Sequence, residues 1–357
     1  MPAIDQFVAG FANGDAISNE AVVLRQIFRS WGRESEIFCE SKRILPELRK
    51  DSRDLGDYIA CRKPDDIVLL HLSIGSAANE LFASLPCRKA ILYHNVTPPH
   101  YFDMINKRTS YDLAKGIAQV KQLADTAKVN MADSVFNAAE LTDAGYKNVQ
   151  VLPLIIDFEK LRSAPDQKAL RKFDDGKTNV IFVGRCAPNK KLEDVLMAFF
   201  HFQKSVEPDS RFIHVGSSAG TERYLYLLLA RAKELGIANF SFSGALPQSQ
   251  LNAIYQSADI FLSMSEHEGF CIPILESMMR DVPVMAYSSS AIPETMDGAG
   301  ILFGEKRYDM IAELMGRVVS DSAFNSALIA GQRERMKRFI DRDLVSELGN
   351  HLAPLLK

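Results

Sequence analysis

Short runs of apolar residues alternate with longer stretches of helical periodicity along most of the chain. Residues 67–72, 179–183 and 260–264 carry mostly apolar side chains on both faces, which is typical of strands buried within a parallel sheet. A parallel strand needs a crossover connection, and helical patterns such as residues 192–206 separate these runs. The sequence therefore predicts a doubly wound α/β architecture with Rossmann-like layers.

The alternation pauses between residues 157 and 178, where Ser, Pro, Asp and Gly are concentrated and no apolar strand pattern occurs. A chain of 357 residues has room for two domains of ordinary size. We therefore predict one Rossmann-like domain over residues 1–160 and another over residues 178–340. Residues 157–178 are predicted to link them, with a central cleft between the two domains. The last stretch, residues 341–357, is predicted to form a helix that crosses back to the first domain.

Composition limits the partners and the compartment. Lys and Arg total 42 against 45 Asp and Glu, so the formal net charge of −3 gives no general attraction for nucleic acid. The five cysteines are scattered without a C-x-x-C pair, which argues against a disulfide framework or a zinc site and favours a reducing compartment. The sequence shows neither a signal-peptide pattern nor an apolar run of about 18 residues, and we expect a cytoplasmic protein.

An acidic segment that contains a glycine, residues 265–276, follows the strand pattern of residues 260–264. Pro273 suits the first turn of a helix, and Gly269 lets the backbone approach a ligand closely. The amides at the start of that helix form a natural seat for a phosphate. Glu276 is placed about one turn further on, where a carboxylate can accept hydrogen bonds from paired ribose hydroxyls. An acidic helix start, favoured by the helix dipole, is the simpler alternative.

A basic segment, residues 183–191, follows the first strand pattern of the second domain. Asn189 is predicted as the N-cap of the next helix, which places Lys190 and Lys191 at the positive end of the helix dipole. That unfavourable placement makes sense if an anion occupies the loop, where Arg185 can hold phosphate oxygens through its planar guanidinium. A solvated basic turn is the alternative interpretation.

The first domain offers weaker signals. Gly14 allows close backbone access after the first strand pattern, but no G-x-G-x-x-G fingerprint is present. His94 ends one predicted strand and His71 lies near the end of another, although a structural histidine is the commoner role for either residue. The sequence contains no H-E-x-x-H, no D-x-D at a strand end and no cluster of ligands with metal-binding spacing, so no metal site is expected.

Glu268 and Glu276 form the pattern E-x7-E. Arg185 and Lys190 lie in an earlier loop of the second domain, after the strand pattern of residues 179–183. This combination resembles the retaining glycosyltransferases of the GT-B fold, and more narrowly glycosyltransferase family four. The resemblance extends over the whole chain. It departs from the family pattern at Lys191, where a glycine usually follows the lysine.

The resemblance implies a role for each matching residue. Arg185 and Lys190 would neutralise the diphosphate of a nucleotide sugar, His94 would contact the sugar near the reacting carbon, and backbone around Gly244 would seat the base. The implied catalytic residues are His94, Arg185, Lys190 and Glu268. The implied donor-binding residues are Gly14, Arg185, Lys190, Gly244, Glu268, Gly269, Phe270, Cys271 and Glu276.

The same resemblance implies a retaining hexosyltransferase that needs no metal or other cofactor. Its donor would be a nucleotide sugar, GDP-mannose or a UDP-sugar, and its acceptor a glycan or a lipid-linked glycan of a bacterial surface polysaccharide. A sugar-nucleotide epimerase of the same fold and a non-catalytic sugar-nucleotide-binding module are the alternatives. Basic residues along 101–128 leave peripheral contact with the inner membrane face open, although a solvated face is the favoured interpretation.

Overall fold

A parallel sheet lies at the centre of each half of the chain. The computed structural model describes residues 1–58 and 63–357, which fall into two units. The first unit comprises Met1–Asp103, Lys107–Ile156 and Asp343–Lys357, and the second unit comprises Met104–Asn106 and Asp157–Arg342. Cys61 lies outside the described residues.

The first unit contains a seven-stranded sheet among its described residues. Its strands are β1 (Ile4–Phe7), β2 (Ile37–Cys39), β3 (Arg53–Asp54), β4 (Ile67–Leu72), β5 (Arg88–Tyr93), β6 (Val129–Ala132) and β7 (Gln150–Val151). The described helices that accompany them are α1 (Ala16–Ser30), α2 (Ala77–Ser84), α3 (Lys107–Gln122) and α4 (Val135–Asp143). The strand order is β3-β2-β1-β4-β5-β6-β7, with every neighbouring pair parallel.

The second unit repeats this arrangement with six strands. They are β8 (Thr178–Val183), β9 (Ser210–Val215), β10 (Phe240–Phe242), β11 (Ile260–Ser263), β12 (Val284–Tyr287) and β13 (Ile301–Phe303), in the order β10-β9-β8-β11-β12-β13. Its helices are α5 (Phe158–Arg162), α6 (Gln167–Phe173), α7 (Leu192–Ser205), α8 (Glu222–Glu234), α9 (Gln248–Gln256), α10 (Ile272–Met279), α11 (Ile292–Met296), α12 (Tyr308–Ser320) and α13 (Ser322–Ile340).

The predicted α/β class with two Rossmann-like sheets is confirmed. Strands β4, β8 and β11 are the both-face apolar runs, and each lies inside its sheet rather than at an edge. All neighbouring strands of the second sheet are also parallel. The carboxyl ends of its strands therefore meet at one edge, where the loops that carry the predicted site residues begin.

The C-terminal helix α14 (Leu344–Leu356) packs on the first unit, as the sequence predicts. Asp343 caps its start by accepting a hydrogen bond from the Ser346 amide at 3.1 Å. Its buried side chains join the hydrophobic core beside β4 and β5, and they are Leu348, Leu352 and Leu355. At its end, the Arg88 guanidinium donates to the carbonyl of Leu355 at 2.8 Å. Apolar burial and carbonyl capping together hold this helix on the first sheet.

Residues 157–178 are more structured than the predicted linker, because short helices form within them. Asp157 and Asp166 act as N-caps of α5 and α6. The Asn252 amide then donates to the carbonyl oxygens of Lys160 and Ser163, each at 3.0 Å, which ties the segment to α9 of the second unit. None of the helices in the described parts of the chain has both the length and the apolar character needed to cross a membrane.

Replacing Leu352 by Ala should lower the free energy of unfolding by about 2–5 kcal/mol, because the change opens a cavity in the core of the first unit. Val345 lies on the same helix but is exposed, so Val345→Ala should change stability by no more than about 0.5 kcal/mol. Urea unfolding followed by circular dichroism measures both effects. Equal small losses in the two variants would contradict the packing of α14 described here.

Candidate functional site

Two loops of the second unit are hydrogen-bonded to each other at the carboxyl edge of its sheet. One follows β8 and the other follows β11, which are neighbouring strands. The Glu266 amide donates to the Asn189 carbonyl at 2.9 Å, and the Asn189 side chain donates to the His267 carbonyl at 3.0 Å. These bonds bring the predicted basic and acidic segments together.

An ion pair joins the same two loops. The Lys190 ammonium lies 2.5 Å from the Glu268 carboxylate, and the side chains are 19% and 8% exposed. Two charges held this close and largely out of water stabilise each other, and removal of either would leave the other unpaired. An ammonium group carries three donors, so Lys190 can bond to Glu268 and still donate to an anion.

The prediction that Asn189 is the N-cap of α7 is wrong. Asn189 lies within a short 3₁₀ turn, Pro188–Lys190, which ends before α7 begins, and its side-chain nitrogen donates to the His267 carbonyl. Lys191 occupies the cap position instead, with a φ of 50° in the left-handed region. Glycine adopts that conformation without strain, which accounts physically for the glycine usual at this place. The Lys191 ammonium lies 3.4 Å from Glu266, so part of its charge is already balanced.

Arg185 lies in the same loop with its side chain exposed to solvent. Within the described parts of the chain, its guanidinium forms neither a hydrogen bond nor an ion pair that would hold it to the protein. The backbone beneath it is fixed, because Gly184 donates to the Val215 carbonyl at 2.9 Å and accepts from His214 Nε2 at 3.0 Å. The structure thus presents a cation on a rigid base, with its donors available to a ligand.

A row of glycines follows β8, β9 and β10, and sequence analysis recognised only part of it. A Cβ added to Gly216 would lie 1.8 Å from the Gly184 carbonyl oxygen, so no other residue fits there. Gly216 in turn donates to the Gly244 carbonyl at 2.9 Å. The signal that could have identified the row is a glycine directly or closely after three successive strand patterns. The row keeps side chains away from this part of the edge.

Helix α10 begins beside the Lys190–Glu268 pair. Pro273 lies in its first turn as predicted, and Cys271 precedes it with a φ of 74°. Phe270 and Cys271 are buried, and the Thr295 hydroxyl donates to the Phe270 carbonyl. Burial raises the pKa of the Cys271 thiol well above its usual range, so this group stays protonated and is a poor nucleophile. Pro273 has no amide hydrogen and the Ile274 amide donates to the Cys271 carbonyl at 3.1 Å, so it is the positive end of the helix dipole that suits this start to an anion.

Glu276 is anchored by a buried tyrosine. The Tyr255 hydroxyl donates to Glu276 Oε2 at 2.6 Å, and Tyr255 is fully buried. Burial raises the pKa of Glu276, and the hydrogen bond from Tyr255 partly offsets that effect. The carboxylate is therefore held in one orientation, with acceptor capacity left for a ligand hydroxyl. Sequence analysis did not identify Tyr255, because 21 positions separate it from Glu276.

A second lysine organises the acidic side of the loops. The Lys306 ammonium lies 2.7 Å from Glu266 and 2.6 Å from Asp194, which stands in the first turn of α7. The Tyr308 hydroxyl also donates to Asp194, at 2.8 Å. Lys306 therefore links the start of α7 to the loop after β11, and no sequence motif marked it.

The predicted residues of the first unit lie in a different environment. Gly14 has a φ of +71° and precedes Asp15, the N-cap of α1, with open space where a Cβ would stand. His94 is buried, with Nε2 2.9 Å from His71 Nδ1 and Nδ1 3.5 Å from Asp133. Both ring nitrogens of His94 thus face protein groups. A direct contact of Gly14 or His94 with a nucleotide sugar stays a prediction.

His214 should make the stability of the protein depend on pH. Burial lowers its pKa to about 4, while the bond to Gly184 opposes the shift. In the unfolded chain a histidine binds a proton below about pH 6.5, so acidification favours unfolding. We expect this residue to remove about 2 kcal/mol of stability between pH 7.5 and pH 5.

The variant His214→Asn isolates that contribution. Its free energy of unfolding, measured by urea titration at both pH values, should fall by about 2 kcal/mol less than that of the wild type. An identical fall in the two proteins would show that His214 is not the group responsible.

Residues 164–338 match the family model of glycosyl transferases group 1. The chain is 28% identical over 180 residues to a D-inositol 3-phosphate glycosyltransferase of Segniliparus rotundus, which covers 48% of this chain and 39% of that protein. It is 24% identical over 159 residues to the O-antigen chain mannosyltransferase B of Escherichia coli, covering 44% and 41%. The matched region thus spans less than half the length of these relatives.

The fold is similar to solved glycosyltransferase structures over nearly the whole chain. HepE of Anabaena, solved in complex with UDP-glucose, matches with a TM-score of 0.76 at 17% identity, covering 99% of each chain. Sucrose-phosphate synthase of Thermosynechococcus elongatus matches with a TM-score of 0.75 at 14% identity, covering 100% and 99%. These likenesses confirm the predicted GT-B class of fold. Residues 164–338, within the second unit, are therefore identified as a glycosyl transferases group 1 region.

Proposed function

We propose that the protein is a retaining glycosyltransferase that moves a hexose from a nucleotide-diphosphate sugar to a glycan or lipid-linked acceptor. The observation that carries this proposal is the contact between the loops after β8 and β11, where Lys190, Glu268 and the start of α10 come together. That arrangement places a cation beside the positive end of the α10 dipole, a combination that suits a diphosphate. It occurs within the residues that match the family.

The electrostatic demand of the reaction fits these groups. Cleavage of the bond between sugar and nucleotide leaves negative charge on the departing phosphate and positive character at the sugar carbon. Lys190, fixed by Glu268, and the exposed cation Arg185 are proposed to neutralise the phosphate, together with the amides of Gly269, Phe270 and Cys271. Donors that are preorganised in this way stabilise the transition state without reorganising during the reaction.

Nucleotide recognition is proposed to use the other predicted residues of the second unit. Glu276, held by Tyr255, accepts hydrogen bonds from the ribose hydroxyls, and Glu268 contacts the sugar and its distal phosphate. The backbone at Gly244, in the row of glycines, seats the base. In the first unit, Gly14 is proposed to admit the diphosphate, and His94 to act on the donor through its charge because both ring nitrogens are engaged.

Retention of configuration is proposed to proceed without a protein nucleophile. The Cys271 thiol is held protonated, and Glu268 is paired with Lys190. The departing phosphate oxygen can itself accept the proton of the acceptor hydroxyl on the same face of the sugar. Because Lys190 and Arg185 supply the positive charge, we propose that a divalent metal is not needed for this step.

The donor and acceptor are proposed from the relatives. One relative is named an O-antigen chain mannosyltransferase, and another, from Mycolicibacterium smegmatis, a GDP-mannose-dependent alpha-mannosyltransferase. We therefore propose GDP-mannose as the first donor to test and UDP-sugars as the second, with an acceptor in surface polysaccharide synthesis. A panel of nucleotide sugars screened by thermal shift identifies the donor, since a ligand that binds the folded state raises the apparent melting temperature.

Arg185→Ala and Lys190→Ala should each lower kcat/KM for sugar transfer by about 10²–10³-fold, as loss of one preorganised charge donor does in other enzymes. Lys233 is an exposed lysine on α8 of the same unit, and Lys233→Ala should leave transfer unchanged. The measurement is initial-rate kinetics with the donor found in the screen. Transfer at the wild-type rate by the Arg185 and Lys190 variants would reject their assignment to the diphosphate.

Transfer should persist when a chelator is present, and the anomeric configuration of the donor sugar should be retained in the product. Mass spectrometry and NMR of the product measure both outcomes. Complete loss of transfer with EDTA, restored by a divalent cation, would contradict the proposed metal independence. A new sugar nucleotide formed without acceptor would instead indicate an epimerase.

A further inference from the structure

A row of buried polar side chains crosses the first sheet at the carboxyl ends of its central strands. Gln6 lies in β1, His71 in β4, His94 directly after β5 and Asp133 directly after β6, and these strands are neighbours in that order. Along this row, Gln6 Oε1 lies 3.0 Å from His71 Nε2, and His71 Nδ1 lies 2.9 Å from His94 Nε2. His94 Nδ1 lies 3.5 Å from Asp133 Oδ2. All four residues are buried.

The two histidine rings lie edge to edge. Their planes are within 5° of parallel and their centroids are 5.2 Å apart, while the facing nitrogens are only 2.9 Å apart. Rings stacked face to face would keep all their atoms about 3.5 Å or more apart. The facing nitrogens therefore share an N–H···N hydrogen bond, in which one donates and the other accepts.

Gln6 determines which nitrogen is the donor. Its side-chain nitrogen donates to the Ala21 carbonyl at 2.8 Å, so its oxygen must face His71. An amide oxygen only accepts, and His71 Nε2 therefore carries a proton. Full burial and the nearby His94 lower the pKa of His71 well below its usual value, so His71 is neutral and its Nδ1 accepts. The proton between the rings then belongs to Nε2 of His94.

The far side of His94 faces a carboxylate. With Nε2 protonated, an electrically neutral His94 would direct the lone pair of Nδ1 at Asp133, which is unfavourable unless a proton lies between them. Burial raises the pKa of Asp133, while the contacts of that carboxyl with His94 and with the Asn137 amide lower it, so the ring and the carboxyl compete for this proton. The added attraction of the Glu20 carboxyl favours the ring, and a proton on Nδ1 makes His94 doubly protonated.

The surroundings of His94 are consistent with a cation. Glu20, on α1, places a carboxyl oxygen 3.5 Å from Nε2, and Asp15 adds a weaker attraction. Burial opposes the charge, but the bond to Asp133 and these carboxylates outweigh it, so the pKa of His94 is raised. His71 is the other titratable group facing the ring.

We propose that His94 is a buried imidazolium and that Gln6, acting through His71, is a positioning residue that holds its second proton in place. Asp133 is the matching positioning residue on the other side. The catalytic consequence rests on the proposed function: a doubly protonated His94 is neither a base nor a nucleophile, and acts on the donor as a fixed positive charge. The charge state itself does not depend on that function.

Nitrogen-15 NMR of the histidine-labelled full chain tests the charge directly. At pH 8, above the usual histidine pKa of about 6.5, both nitrogens of His94 should show imidazolium shifts, and His71 should show a neutral ring protonated at Nε2. The His94→Gln variant assigns the signals. A neutral His94 at pH 8 would overturn the proposal, whether or not the protein transfers sugar.

Variants separate the positioning roles from general destabilisation. Asp133→Asn and Gln6→Leu should each lower the pH at which His94 loses its second proton by at least one unit in the NMR titration. Gln119 is another buried, hydrogen-bonded glutamine of the first unit, and Gln119→Leu should leave the titration unchanged. Equal midpoints in the Gln6 and Gln119 variants would refute the role of Gln6.

A metal ion bound beside His94 is the alternative to a buried imidazolium. Glu20, His71 and His94 offer ligand atoms within 4.8 Å of one another, so added Zn²⁺ is the control: tight binding that displaces the Nε2 proton of His94 would replace the imidazolium by a neutral, metal-bound ring. An imidazolium in a protein that transfers no sugar would refute the proposed function and leave the charge assignment standing. In an active protein, Asp133→Asn should lower kcat by about tenfold or more, with little change in donor KM.

Discussion

The contact between Lys190 and Glu268 is the interaction on which the organisation of the second unit's site depends. It joins two loops that are far apart in the chain but adjacent at the sheet edge, because β8 and β11 are neighbouring strands. Low exposure of both side chains makes the pair unfavourable to break, since either partner left alone would be a poorly solvated charge. The Asn189 carbonyl accepts from the Glu266 amide and the Asn189 side chain donates to the His267 carbonyl, and these bonds align the loops so that this pair can form.

Small residues form part of the same edge. Gly184 and Gly216 approach so closely that a side chain at Gly216 would overlap the neighbouring backbone. This close packing excludes a side chain at Gly216, while charged side chains lie in the loops that follow β8 and β11. Lys306 then links Glu266 to α7, so the acidic and basic segments are held by a network rather than by a single pair.

Local patterns predicted the parts of the structure that local physics determines. The both-face apolar runs became internal parallel strands, and Pro273 began its helix, because burial and a missing amide act within a few residues. Asn189 failed as an N-cap because the chain forms a 3₁₀ turn there, and its side chain is oriented by a carbonyl 78 positions away. Tyr255 and Lys306 escaped prediction because their contacts are also distant in sequence. Their partners become neighbours only when the sheet has formed, and no spacing in the chain records that proximity.

The buried histidines show that burial alone does not decide charge. His214 and His94 both lie near strand ends and both lose their hydration, a change that favours the neutral ring. His214 faces a carbonyl of Gly184, whose partial charge is too small to compensate, and its pKa falls to about 4. His94 faces Asp133 and Glu20, whose full charges more than compensate, and its pKa rises. The fold thus supplies a neutral donor that fixes a loop in one unit and a cation in the other, and the difference arises because His214 faces a carbonyl whereas His94 faces carboxylates.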